Sequence, residues 1–580
     1  MLLPNHHNHS SHDPEKSKDN DNKDRVILRH DSFALSSGHR DSSIVFQEDY
    51  GIAPSFSSSE DNNNGLSSLP EKKKEKGSTA ASSSDGKVIY RINFRILPFL
   101  AVIMFLQQID KQVLNYTGPL GMYGNTDVTL DQFRWLGPSL HLGTMAMLIP
   151  AGFYLVHKFR PAKVMSMTMV LWGIVLTCMM ACTNFQGLLA CRILLGMCEA
   201  AVLPAAFILI KSIYRRSEQL LYIGFCYTAM TAAVSFGSLL TFGFSHVGDA
   251  HGISAWKWVT LIWGTITIAA SIASCIYLPD DPYSKRFGLS AEQEDIVDAR
   301  VSENAMVRDT QIHWSHIQEA LSEPRYYCQA VIAFLVSMPM GCIGDFSAQI
   351  IQEMGFNGPK SVALNLPRGI YDILTYVFYA RQVLKSRLRN HIAYTVTGFS
   401  FIPLIGMIIL AVCSSLNATT GKMVGLVFSP TNFATAGTQA LISSNVSGYT
   451  KAIFYIVTNV FAINLGHFIG PILLRRYGKD DPYGDGDPTA AIPIMIMFIF
   501  AELVSICLLY YIGRSLYRDR DNRLAAQDEV ALDSGWNNDS TESIVKKKRA
   551  SFVTTGNSTT DGHGFINLTD VHDIQFMYRP

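Results

Sequence analysis

The chain is short of charge. Of its 580 residues only 17% are Asp, Glu, Lys or Arg, and the 48 basic residues are matched by 48 acidic ones. Zero net charge removes any whole-chain attraction for nucleic acid. The ten cysteines make no CxxC pair and all fall within apolar runs. That excludes a disulfide scaffold, a zinc site and a dithiol redox centre, and leaves them as small apolar packing residues. No G-x4-G-K-[ST] loop is present, so no ATP motor is expected. No span carries a paired-His metal site or a nucleophile with an evident base, which argues against an enzyme. A charged-then-apolar secretory signal is also missing from the start, so the first apolar helix is expected to serve as an uncleaved anchor.

What the chain has is long uncharged runs. Residues 164–191, 220–247, 258–278, 392–421 and 423–450 contain no Asp, Glu, Lys or Arg. A bilayer crossing needs roughly 20 helical residues, and a soluble core helix rarely stays uncharged so long because one face meets water. The alternation of a membrane barrel is absent. The pattern predicts an all-α integral membrane protein with about twelve spanning helices, near 95–118, 135–157, 164–183, 186–210, 220–246, 258–279, 326–354, 361–384, 392–413, 423–445, 452–474 and 490–513. Basic residues set the direction. With the N-terminus inside, short inner loops hold Lys158, Arg160 and Lys163, then Arg215 and Arg216, then Lys385, Arg387 and Arg389, and the last helix exits into Arg514, Arg518, Arg520 and Arg523. Outer loops are poorer, apart from Arg475, Arg476 and Lys479, so both termini are expected to be cytoplasmic.

A polar segment divides the spans six and six. The expected organisation is an N-tail over 1–90, a first six-helix half over 91–279, a cytoplasmic linker over 280–325, a second half over 326–513, and a C-tail over 514–580. Within the linker, SAEQEDIVDARVSEN reads as an amphipathic helix capped by Ser290, with Ile296 and Val297 on its apolar side. Two six-span halves joined this way are the layout of a rocking transporter. Both tails are rich in Ser, Asn, Asp and Lys, and are expected to be disordered. His6, His7, His9 and His12 read as part of that solvated tail rather than a metal site. KKKRASF at 546–552 is a basic patch for the inner leaflet.

Ionisable residues inside spans cost several kcal/mol unless they meet a partner or a cavity. Asp110 and Lys111 stand midway along the first span; Arg192 and Glu199 stand seven residues apart, on one face of the fourth. As structure, Asp110–Arg192 or Lys111–Glu199 are ion pairs that fix packing. As function, the carboxylates exchange protons while the cations hold an anion, and the substrate frees a carboxylate for its proton by engaging the cation. In the second half, Arg368 and Asp372 sit four apart on one helix, in a structural or gating pair. Glu502 is isolated, Lys451 and Glu353 lie near span ends, and His467 is either a titrating group or a polar helix contact.

IDKQVLNYTGPLGM in the first span, RILLGMCEA in the fourth, YRRSEQ after it, AWKWVTLIWGTITI with its PDDP exit, and ISSNVSGYTK leading into GHFIGP together resemble fungal anion:cation symporters of the major facilitator superfamily, the allantoate permease-like group. The likeness covers about 95–523. It implies the major facilitator fold and proton-coupled uptake of a small carboxylate, vitamin or sulfonate, with no cofactor beyond the proton. It further implies that Asp110 and Glu199 carry protons and that Lys111 and Arg192 contact the anion. Three departures stand out. GFYLVHKFRPAK after the second span lacks the superfamily's loop acid, His467 stands where the family has Asn, and Arg368 where it has an uncharged residue; the last two alter selectivity. Expected partners are a small anionic substrate and membrane lipids, with trafficking or ubiquitin-ligase machinery on the tails and a monomeric carrier in the plasma membrane. The alternative is a transporter-like nutrient sensor that signals through those tails.

Overall fold

The computed structural model describes residues 72–533, apart from 123–125, 127, 247–252, 305–308, 345, 385–390, 417, 430–432 and 478–491, together with Asp570 and Tyr578. The histidines of the extreme N-terminus and the KKKRASF patch lie outside the described residues.

Among the described residues, ten helices are long and apolar enough to cross a membrane. Before the linker these are α1 (Gly86–Met122), α2 (Gln132–Lys158), α3 (Pro161–Ala181), α4 (Phe185–Ile213), α5 (Glu218–Phe244) and α6 (Ala255–Tyr277). After it come α7 (Pro324–Gly344), α8 (Leu366–Leu384), α9 (Ile392–Ser415), α10 (Phe433–Asn445, preceded by a separate turn of helix over Thr419–Phe428), α11 (Tyr449–Leu473) and α12 (Ile492–Ala526). The expected eighth and tenth spans are the two that fall short. The eighth carries Arg368, Asp372 and Arg381 in its 19 residues, and the tenth is described as two helices, Thr419–Phe428 and Phe433–Asn445, neither long enough alone. Where 326–354 was expected as one helix, α7 ends at Gly344 and a short helix follows over Ser347–Glu353. Large apolar side chains lie open on the outside, among them Ile149 at 67% and Phe500 at 66%, as a surface meeting hydrocarbon requires.

The tails differ from expectation at both ends. Helix starts at Lys72, not near 95, because Val88, Ile92, Ile96 and Leu100 recur every four residues as a buried stripe. Arg91 ties that stretch to the linker through the Gly288 carbonyl (2.9 Å) and Gln293. At the other end the helix of α12 continues to Asp533, with Leu509, Ile512 and Leu516 buried on one face. Asp570 and Tyr578, far down the expected disordered tail, are buried against the bundle. The linker helix (Ala291–Asn304) follows Ser290 as expected, buries Val297, and pairs Arg300 with Glu218 at the start of α5 (2.5 Å).

With the start of α1 on the linker, and Arg325 of α7 paired to Asp519 of α12 at 3.2 Å, both ends of the membrane core lie at the linker end. The helices on either side of the linker meet there. Lys211 donates to the carbonyls of Ser443 (2.5 Å) and Val446 (2.6 Å), Arg216 to that of Ser444 (3.0 Å), and Ser443 to Gln219 (2.7 Å). These cations satisfy carbonyls that the C-terminus of α10 leaves open. At the far end Asn115 donates to Ser347 (3.1 Å) and accepts from the Ala348 amide (3.0 Å). The bundle is thus tied across at both ends.

Candidate functional site

α2 and α4 approach so closely that the backbones touch. A methyl group on Gly143 would collide with the Ile193 carbonyl, and one on Gly196 with that of Leu140. Small residues permit this contact, and it sets the height of His141, two residues before Gly143, and of Glu199, three residues after Gly196.

Glu199 is buried, and its Oε2 lies 3.6 Å from Lys111 Nζ. Of the two pairings the sequence allows, Lys111–Glu199 is therefore formed. Neither Glu199 oxygen has a hydrogen-bond partner among the described residues, so the Lys111 contact is an ion pair only. Lys111 keeps 17% of its side chain exposed and is the most open of the four charges in α1 and α4. Asp110, one residue back on α1, turns the other way. Its Oδ2 accepts from Trp172 of α3 and from Thr267 of α6 (3.3 Å), while Glu199 and Arg192 are its charged neighbours. Arg192 is buried two turns before Glu199 on the same face of α4.

His141 is a member of this cluster that the sequence reading misses. It is buried on α2, counts among the charged neighbours of Glu199, and its Nδ1 lies 2.9 Å from Asn464 Oδ1 on α11. Asn464 uses its amide nitrogen on the Val460 carbonyl (2.8 Å), so its oxygen accepts and His141 donates from Nδ1. The His141 ring lies 4.7 Å from that of His467, also on α11. These contacts cross from a helix before the linker to one after it. Its signal in the sequence was a lone histidine in a span, the same feature that singled out His467.

Arg368 and Asp372 form a second locus. Arg368 donates to the Gly344 carbonyl (3.3 Å) at the end of α7 and neighbours Tyr116 of α1, five residues past Lys111. Asp372 lies beside it, buried, with Oδ1 lacking a partner among the described residues. Glu502 is buried on α12, also with one oxygen unpartnered among them. No metal cluster is built in the spans among the described residues; the one trio of acids within ligating distance, Glu319, Glu323 and Asp570, encloses the Lys451 ammonium instead.

A helical bundle with buried opposite charges in its first half, joined to the second by the His141–Asn464 contact, fits a membrane transporter. Residues 100–471 match the model of the Major Facilitator Superfamily, and the chain belongs to that family. It is 25% identical over 496 residues to a thiamine pathway transporter of Saccharomyces cerevisiae, covering 85% of this chain and 86% of that one. It is 23% identical over 449 residues to the allantoate permease of the same yeast (75% and 81% covered), and 27% over 454 residues to an uncharacterised transporter of Schizosaccharomyces pombe (77% and 83%). These relatives fit the allantoate permease-like group of fungal transporters. Among solved structures, the xylose transporter of Escherichia coli superposes with a TM-score of 0.52 at 13% identity, covering 71% of this chain and 96% of that one. A bacterial homologue of a human lysosomal transporter, Spinster, gives 0.50 at 15% identity (72% and 97%). Both likenesses concern the fold. The protein is a multi-pass membrane transporter, not an enzyme.

Proposed function

We propose that the protein is a proton-coupled symporter that brings a small organic anion into the cell by alternating access, with the two six-helix halves rocking about the cluster. The observation that carries this reading is the buried Lys111–Glu199 ion pair at 3.6 Å, with neither Glu199 oxygen hydrogen-bonded among the described residues. A carboxylate and an ammonium that satisfy each other in a low-dielectric interior exchange partners readily when an anion arrives. The anion takes Lys111, and Glu199, left without its counter-charge, takes a proton. Burying proton and anion together leaves the loaded site no more charged than the empty one, which is what permits reorientation. Arg192 and His467 complete the anion's donors, Asp110 is the second acid, and Arg368 with Asp372 acts as a gate from the other half. In this reading the linker end faces the cytoplasm and the carrier works as a monomer in the plasma membrane. The name of one relative, an allantoate permease, directs the first choice of substrate to allantoate, with other small carboxylates, vitamins and sulfonates tested beside it.

The test is uptake of labelled candidates in cells lacking their own carriers. Uptake is expected to rise with external acidity and to collapse with a protonophore; indifference to both removes proton coupling. His141 supplies a finer test. His141→Phe keeps the ring and deletes the donor to Asn464, a hydrogen bond worth about 0.5–1.5 kcal/mol net. A several-fold rise in KM is expected, with surface expression unchanged. An unaltered KM would place His141 outside the site.

A further inference from the structure

Asp570 and Tyr578 dock at the linker end of the bundle. Asp570 Oδ1 lies 2.6 Å from Lys451 Nζ, at the start of α11, and accepts from the Ser447 amide (3.3 Å). Its Oδ2 accepts from the Tyr578 hydroxyl (3.0 Å), and its carbonyl from Arg523 of α12 (2.9 Å). The Tyr578 ring lies under two guanidinium groups, those of Arg325 (4.7 Å) and Arg523 (4.6 Å). Every polar group of Asp570 that can accept is thus used, and the phenol is held by two cations as well as by its hydrogen bond. This is a receptor with its occupant in place.

Its position gives it a consequence. Ser447 belongs to the turn between α10 and α11, and the C-terminus of α10 with this turn presents the Ser443, Ser444 and Val446 carbonyls that Lys211 and Arg216 grip from the first half. Asp570 is also a charged neighbour of Lys211 itself. One carboxylate therefore neighbours a cation of each half. We propose that Asp570 and Tyr578 are a built-in latch: docked, they fix the 443–450 stretch and hold the linker end of the bundle shut; released, they let that end open. The latch is indifferent to which substrate is carried and to whether a proton accompanies it. Lys451 keeps Glu319 (2.7 Å) and Glu323 (2.6 Å) when Asp570 is lost, so undocking does not leave the buried Lys451 ammonium without counter-charge.

Hydrogen exchange on the full-length protein in lipid nanodiscs tests this without any substrate. In Asp570→Asn and in Tyr578→Ala, amides of residues 443–450 and 211–219 are expected to exchange about tenfold faster than in the unmodified protein, a local opening. Residues 347–353 at the far end keep their protection, and Asp570→Glu restores most of it at the linker end. A synthetic peptide of residues 565–580, added in excess to Asp570→Asn, should return the slow exchange. Unchanged exchange at 443–450 in both variants overturns the latch. So does a uniform rise that includes the far end and that the peptide fails to reverse, since the residues would then be general packing.

Discussion

Glu199→Gln is expected to exchange labelled anion across the membrane at close to the normal rate yet fail to concentrate it. Glutamine keeps the shape of the side chain and an acceptor toward Lys111 at the 3.6 Å contact, but it cannot take a proton. Each proton entering down one pH unit supplies about 1.4 kcal/mol, which is roughly a tenfold concentration ratio. The accumulation ratio should therefore fall by about that factor or more, toward unity, while counterflow persists. Asp110→Asn is expected to do less to coupling, because Asp110 is already committed to Trp172 and Thr267. Counterflow and accumulation measured on the same vesicles separate the two effects. Normal accumulation by Glu199→Gln would show that another group carries the proton.

The second large effect is on folding. Gly196→Val places two methyl groups where the Leu140 carbonyl already stands, and neither backbone can retreat without breaking the α2–α4 contact. Overpacking of this kind costs about 1–3 kcal/mol in forgiving cores and more against a backbone. Little monodisperse protein is expected on size exclusion, with the remainder melting well below the parent. Gly224 is the control. Nothing lies within 4 Å of the position its Cβ would occupy, on the same kind of helix. Gly224→Ala should be neutral, or stabilising by about 0.5–1 kcal/mol through backbone entropy. A tolerated Gly196→Val would mean that α2 and α4 do not touch as described.

Hydropathy made the spans legible because length without charge has few other uses, and the charges inside them stood out for the same reason. The Lys111–Glu199 pair was one of two arrangements open to the sequence; that Asp110 turns toward Trp172 depends on the rotation of α1 against α3 and α6, which spacing along a chain does not encode. His141 escaped notice because its meaning comes from Asn464, 323 residues later. The tails misled through composition. Ser and Lys around 72–90 hid the four-residue period starting at Val88, and the acid and phenol of the C-terminus are unremarkable until three cations from three helices surround them.

The burial of Tyr578 bears on how the protein is handled. A purification handle or fluorescent fusion placed next to Tyr578 adjoins a ring wedged against Arg325 and Arg523. Such a fusion is expected to disturb that ring and with it any rate recorded. Handles belong elsewhere in the chain, or behind a cleavage site removed before any rate is recorded.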